Sequence, residues 1–205
     1  MTDFSEPATS SVPPARPKLR ADAVRNRERI LAVARDAFAE GGANVTLDDI
    51  VRLSGLGVGT LYRHFPTRDA LVEALYLSEI EKLAAAEREL AESAPPVEAL
   101  RAWLLLFVDM METKLVLRDA LNAIVGGTAE LYAASGEMLR QAIDNLTARA
   151  IASGDIQLDV EPLDLLRALS GVATAGTGPN WAQSARRFVD VLLAGIRVSP
   201  AEGTQ

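Results

Sequence analysis

The sequence predicts an all-α protein of about nine helices, with a three-helix helix-turn-helix domain at the N-terminus and a helical domain after it. Three observations carry that expectation. At residues 46–71, two short helical segments, each too small to bury its own apolar face, flank a glycine-containing turn. Beyond Pro96 the apolar residues recur at helical spacing, and no stretch alternates apolar with polar as a half-buried strand does. Pro-Pro, Gly-Gly and Gly-Asp pairs then cut the remainder into segments of helix length.

Composition sets the outer bounds. The 205 residues are 49% hydrophobic and 24% charged, enough for a sizeable core in one domain or two small ones. Cysteine is absent, which excludes disulfides, thiolate metal sites and a cysteine nucleophile. The N-terminus has no basic stretch followed by an apolar run, and no segment approaches the roughly 18 apolar residues of a membrane span, so a cytoplasmic location without a membrane partner is expected. The net charge of -7 is a poor match to phosphate. Its distribution changes that reading: residues 16–75 carry ten basic against eight acidic side chains, which leaves the acidity in the rest of the chain. A mildly basic head on an acidic body suits one domain that touches nucleic acid and one that does not.

Residues 1–20, with Pro7, Pro13, Pro14 and Pro17 among small polar residues, read as a disordered tail. The alternative is a basic arm of Arg16, Lys18 and Arg20. The first helix, 21–40, places Ile30, Leu31, Ala34, Ala37 and Phe38 on one face and ends at Gly41-Gly42. Thr46 caps the next, with Asp48 and Asp49 in its first turn and Leu47, Ile50, Val51 and Leu53 on its apolar side. Gly55 ends it in the left-handed conformation, and Leu56 plugs the corner. The following helix starts at Gly57 or Val58, turns Leu61 and Phe65 inward and leaves Thr60, Tyr62, Arg63 and His64 outward.

That outward set has the chemistry of a DNA reader. The Tyr62 hydroxyl and a His64 ring nitrogen suit phosphate, and Thr60 suits phosphate or a thymine methyl. Arg63 can bind a guanine edge through two parallel hydrogen bonds, or a phosphate. Val58 and Gly59 let the backbone approach the groove floor. Thr67 then caps a long helix ending at Ala94-Pro95-Pro96, with Leu71, Val72, Leu75, Ile80 and Leu83 inward.

The run Gly57-x-Gly59-Thr60-Leu61-Tyr62-x-His64-Phe65, with a basic residue three positions on at Arg68 and then Asp69-Ala70-Leu71, resembles the DNA-binding signature of TetR-family transcriptional regulators. The resemblance extends upstream through Arg29-Ile30-Leu31 and Phe38-Ala39-Glu40-Gly41-Gly42, about the first third of the chain. Gly57 stands where the family usually has a capping Ser, at a cost of a few tenths of a kcal/mol. Arg68 stands where Lys is usual and keeps the phosphate-directed charge. The candidate DNA contacts are Thr46, Gly57, Val58, Gly59, Thr60, Tyr62, Arg63, His64 and Arg68. The expected division is a tail at 1–20, a DNA-binding domain at 21–66, a connecting helix at 67–93, a ligand-binding and dimerisation domain at 94–198, and a tail at 199–205.

In the body, Leu100, Trp103, Leu104, Phe107, Met110 and Met111 describe one helix, a short segment at 115–125 ends at Gly126-Gly127, and helices follow at 129–153, 162–175 and 179–197. Trp103, Phe107, Met110, Met111, Leu121 and Tyr132, with Asn122 or Thr174 as polar contacts, could line a mostly apolar cavity or simply be core. Leu165, Leu169, Val172, Trp181, Phe188 and Leu192 on the last two helices suit a four-helix dimer core. With one His already in the reading head, no Cys and no phosphate-cradling glycine loop, no enzyme, cofactor or metal site is expected. The resemblance implies a homodimer on a palindromic operator of double-stranded DNA, acting as a repressor released when a small apolar effector occupies the body. The alternative is a helical interaction or architectural DNA-binding factor without an effector.

Overall fold

The computed structural model describes residues 17–175 and 180–198, with side chains from Ala21 onward. The stretch 1–16, the Gly176-Thr177-Gly178 break with Pro179, and the C-terminal tail lie outside the described residues. Eight helices form among those described: α1 Pro17–Gly41, α2 Leu47–Ser54, α3 Val58–His64, α4 Arg68–Ser93, α5 Pro96–Asn122, α6 Ala129–Ala152, α7 Pro162–Ala175 and α8 Trp181–Ile196. None of them is long and apolar enough to cross a membrane.

Two boundaries differ from the sequence reading. Helix α1 begins at Pro17, inside the stretch assigned to the tail, because proline is well tolerated at a first helical residue, where its missing N–H has no partner to lose. The segments expected at 96–111 and 115–125 are one helix of 27 residues, which reduces the count from nine to eight. Glu112-Thr113-Lys114 lies between the two segments. In the fold those residues have partners on other helices: Glu112 meets Arg186 of α8 at 3.2 Å, and the Lys114 ammonium lies 4.7 Å from the Tyr132 ring and 6.0 Å from that of Tyr76. With neither glycine nor proline there, nothing stops the helix.

Ile30, Leu31, Ala34, Ala37 and Phe38 of α1 are buried, as their spacing requires, against Ile50 of α2, Leu61 of α3 and the adjoining Phe65. Glycine at 41 is dictated by space: a Cβ there would lie 2.8 Å from Val45 Cγ2. A 3-10 turn, Gly42–Asn44, then lowers the chain to Val45, which is buried. In the body, α4 and α5 run antiparallel across the short Ala94-Pro95 connection, and the Trp103 indole N–H donates to the Leu83 carbonyl at 2.8 Å. Helix α5 is the axis of the molecule. It packs on α4, α6, α7 and α8 of the body and on α1 and the 3-10 turn of the head.

Candidate nucleic-acid interface

The reading motif is built by local capping. Thr46 Oγ1 accepts from the Asp49 amide at 3.2 Å while the Asp49 carboxylate accepts from the Thr46 amide at 3.1 Å, a reciprocal capping box at the start of α2. Hydrogen bonds from the Thr46 side chain, and then from Arg52, hold the Asp49 carboxyl at about 2, below its usual range. Gly55 closes α2 at φ 64°, a conformation costly for any residue with a Cβ. Half-buried Leu56 packs on the core as expected. Leu53 does not: it is 53% exposed, because the eight-residue helix α2 turns it away from α1.

Gly57 caps α3 through its backbone only, with its carbonyl accepting from the Thr60 amide at 2.8 Å. Leu61 and Phe65 are buried beneath the helix, and its outer side carries exposed Gly57, Val58, Gly59, Tyr62 and Arg63 with half-buried Thr60 and His64. One surface therefore gathers the expected contacts from residues 57–64, and Thr46 is exposed at the start of the preceding helix. The Tyr62 hydroxyl donates to Asp48 Oδ1 at 3.4 Å across the two helices.

Arg68 has a different position. Its Nε donates to the Val45 carbonyl at 2.9 Å and its Nη2 to the Ala43 carbonyl at 2.7 Å, and the guanidinium lies 5.3 Å from the Phe38 ring centroid. Those two nitrogens are spent on the corner between α1 and α2, so the side chain clamps the head to α4. Two further ties were not read from the sequence: an ion pair from Arg35 of α1 to Glu79 of α4, and the Val125 amide donating to the Asp69 carboxylate at 3.2 Å. Both join residues more than 40 positions apart, a separation that periodicity does not reveal.

The body residues expected around a cavity are not brought together. Trp103, Phe107, Met111 and Leu121 are packed in the core, with Trp103 stacked on Phe107 at 6.3 Å. Asn122 and Thr174 are exposed, and the Thr174 hydroxyl is turned onto its own helix at the Ser170 carbonyl, 3.0 Å away. Tyr132 is half-buried, edge-on to Tyr76 at 5.7 Å. Met110 borders an open cleft. Of the residues expected at a dimer interface, Leu165 and Leu169 are corrected to the protomer's own core, where they have no surface left to share. Val172, Trp181, Phe188 and Leu192 stay partly exposed, and Val191 is 61% exposed. Among the described residues no three acidic or His side chains are grouped to hold a metal ion.

These features define an all-helical protein with a helix-turn-helix head on a helical body. Residues 30–75 match the family described as bacterial regulatory proteins, tetR family. Residues 95–198 match the family of transcriptional regulator SbtR-like C-terminal domains. A TetR transcriptional regulator from Streptomyces coelicolor is 40% identical, with 85% of this chain and 99% of that one covered and a TM-score of 0.75. A TetR transcription regulatory protein from Mycobacterium vanbaalenii is 32% identical over 88% of this chain and 99% of its own, with a TM-score of 0.65. The HTH-type transcriptional regulator UidR of Escherichia coli strain K12 is 32% identical over 99 residues, which span 48% of this chain and 45% of that protein. The chain belongs to the TetR family of transcriptional regulators, whose members are DNA-binding proteins that act as dimers and are not enzymes.

Proposed function

We propose that the protein is a homodimeric repressor that binds a palindromic operator and is released from it by a small-molecule effector. The observation that carries the reading is the outer side of α3, where hydroxyl, imidazole and guanidinium groups stand over a helix anchored by buried Leu61 and Phe65. Val58, Gly59, Thr60 and Arg63 are assigned to the groove, and Tyr62, His64 and the exposed end of α2 at Thr46 to the flanking phosphates. To reach a phosphate, Tyr62 must leave Asp48. Two such heads read successive major grooves when they stand about 35 Å apart, and the partly exposed faces of α7 and α8 support the pairing that sets this distance.

Effector binding must favour an off-DNA arrangement, and a coupling of roughly 1–3 kcal/mol corresponds to a 5- to 150-fold loss of operator affinity. The test is retardation of DNA from beside the gene itself at physiological salt. Tyr62→Ala and His64→Ala are each expected to abolish the shift while the dimer persists in sedimentation, and normal DNA affinity in both variants refutes the assignment. The closed packing around Trp103 favours a second reading, a DNA-binding factor without an effector. Its mark is an operator complex indifferent to every compound tried.

A further inference from the structure

Two adjoining clefts lie where head meets body. A cleft of about 440 Å³ runs between α1, α4 and α5, within the size range of small-molecule sites. A second, of about 360 Å³, adjoins it at Arg35 and Lys82. One side of the larger cleft is apolar, with Leu83, Met110 and a 39% exposed Leu106. The other is cationic: Arg35 and Lys82 both contact Glu79 Oε1, Lys82 at 2.9 Å. Arg35 and Lys82 thus share a single carboxylate, and Arg35 Nε is buried with no acceptor. Asp109, also at the cleft, is engaged by Arg186 of α8 at 2.6 Å, and that arginine reaches Glu112 as well.

We propose that this cleft binds a small amphipathic monocarboxylate, with its carboxylate on Arg35 and Lys82 and its apolar part along Leu83, Leu106 and Met110. The assignment rests on the effector-release reading and gives it a place and a chemical class. Arg35 belongs to the head and Glu79 to the connecting helix. An anion bound to Arg35 therefore competes with Glu79 for the ion pair that ties the two, and the ligand acts directly on the orientation of the head.

The experiment is thermal unfolding of the full chain with octanoate and benzoate, against octanamide and benzamide as uncharged controls, alongside affinity for the DNA fragment that the protein retards. At ten times its Kd, a bound carboxylate raises Tm by about 3 °C and weakens DNA binding at least 5-fold, while the amides do neither. Arg35→Gln and Leu106→Glu abolish both effects. The second variant adds a carboxylate at an exposed position, so its fold is retained. Absence of any carboxylate effect on wild-type Tm, or its persistence in both variants, overturns the site. A Tm shift lost in the variants but without DNA release keeps the site and overturns the release reading. Release by amides from wild type and variants alike keeps that reading and overturns the site.

Discussion

The head and the body are assembled from the same unit, an amphipathic helix, but α3 and α5 put it to opposite use. Helix α3 commits one of its seven residues, Leu61, to the interior, with Phe65 buried just past its end, and leaves the others at least partly open to contact outside. Helix α5 buries a broad face, with Val97, Leu100, Trp103, Leu104, Phe107, Val108, Leu117 and Leu121 all in the core. Recognition is therefore concentrated where little is buried. Stability is concentrated where little is exposed.

The contrast can be broken most forcefully at Trp103. Trp103→Ala empties a fully buried site and strips the Leu83 carbonyl of its donor, so a loss of about 3–5 kcal/mol is expected in denaturant unfolding. A loss under about 1 kcal/mol would mean that the body is not close-packed there. On the other side of the comparison, Arg63 is exposed on α3. Arg63→Ala is expected to leave Tm unchanged and to cost about 1–3 kcal/mol of operator discrimination if it reads guanine, or to lower the salt slope of DNA binding by about one if it meets phosphate.

A smaller effect is expected at the start of α2, where Thr46→Ala removes a cap worth about 1 kcal/mol. The difference depends on pH with a definite sign. Asp49 has a folded pKa of about 2 against an ordinary 3.8, so its stabilising contribution is complete above the higher figure and disappears as pH falls through the lower. Wild type and Thr46→Ala should converge in urea titrations as acid is added, and a constant gap would show that Asp49 is not part of the cap. The smallest change is expected at Lys114, whose ammonium is pushed below its usual pKa by burial. Burying that charge opposes folding until the folded-state group deprotonates. Lys114→Met should therefore raise Tm slightly at neutral pH, and the two proteins should approach one another as pH rises toward that of free lysine. An unchanged difference at alkaline pH would remove desolvation as the cause.

The same division explains what could be read from the chain before any coordinates. The head is local: its capping box spans Thr46 to Asp49, its turn is a single left-handed Gly55, and its anchors are four residues apart, so composition and spacing hold the necessary information. The gathering of residues 57–64 on one surface follows from seven residues of helix. Leu53 escaped because an apolar side chain on so short a helix has no second turn to fix its side. In the body, helix existence was legible, but the partners were not. The sequence leaves α5 divided between Met111 and Leu115, where Glu112 and Lys114 find their partners in Arg186 and Tyr132, far along the chain. Trp103 and Leu165 stay open between core and surface in the sequence, because an apolar stripe reads alike whether it faces a ligand, a second subunit or its own core.

The unbroken course of α5 has a mechanical consequence. Its 27 residues form a bar about 40 Å long, seated against the 3-10 turn of the head at one end and the α4–α5 corner at the other. A stiff bar of that length carries a tilt of about 5° at one seat into roughly 3.5 Å at the other, close to the rise of one base pair along a DNA strand. Had the chain broken at Glu112, the same tilt would have dissipated in a joint midway.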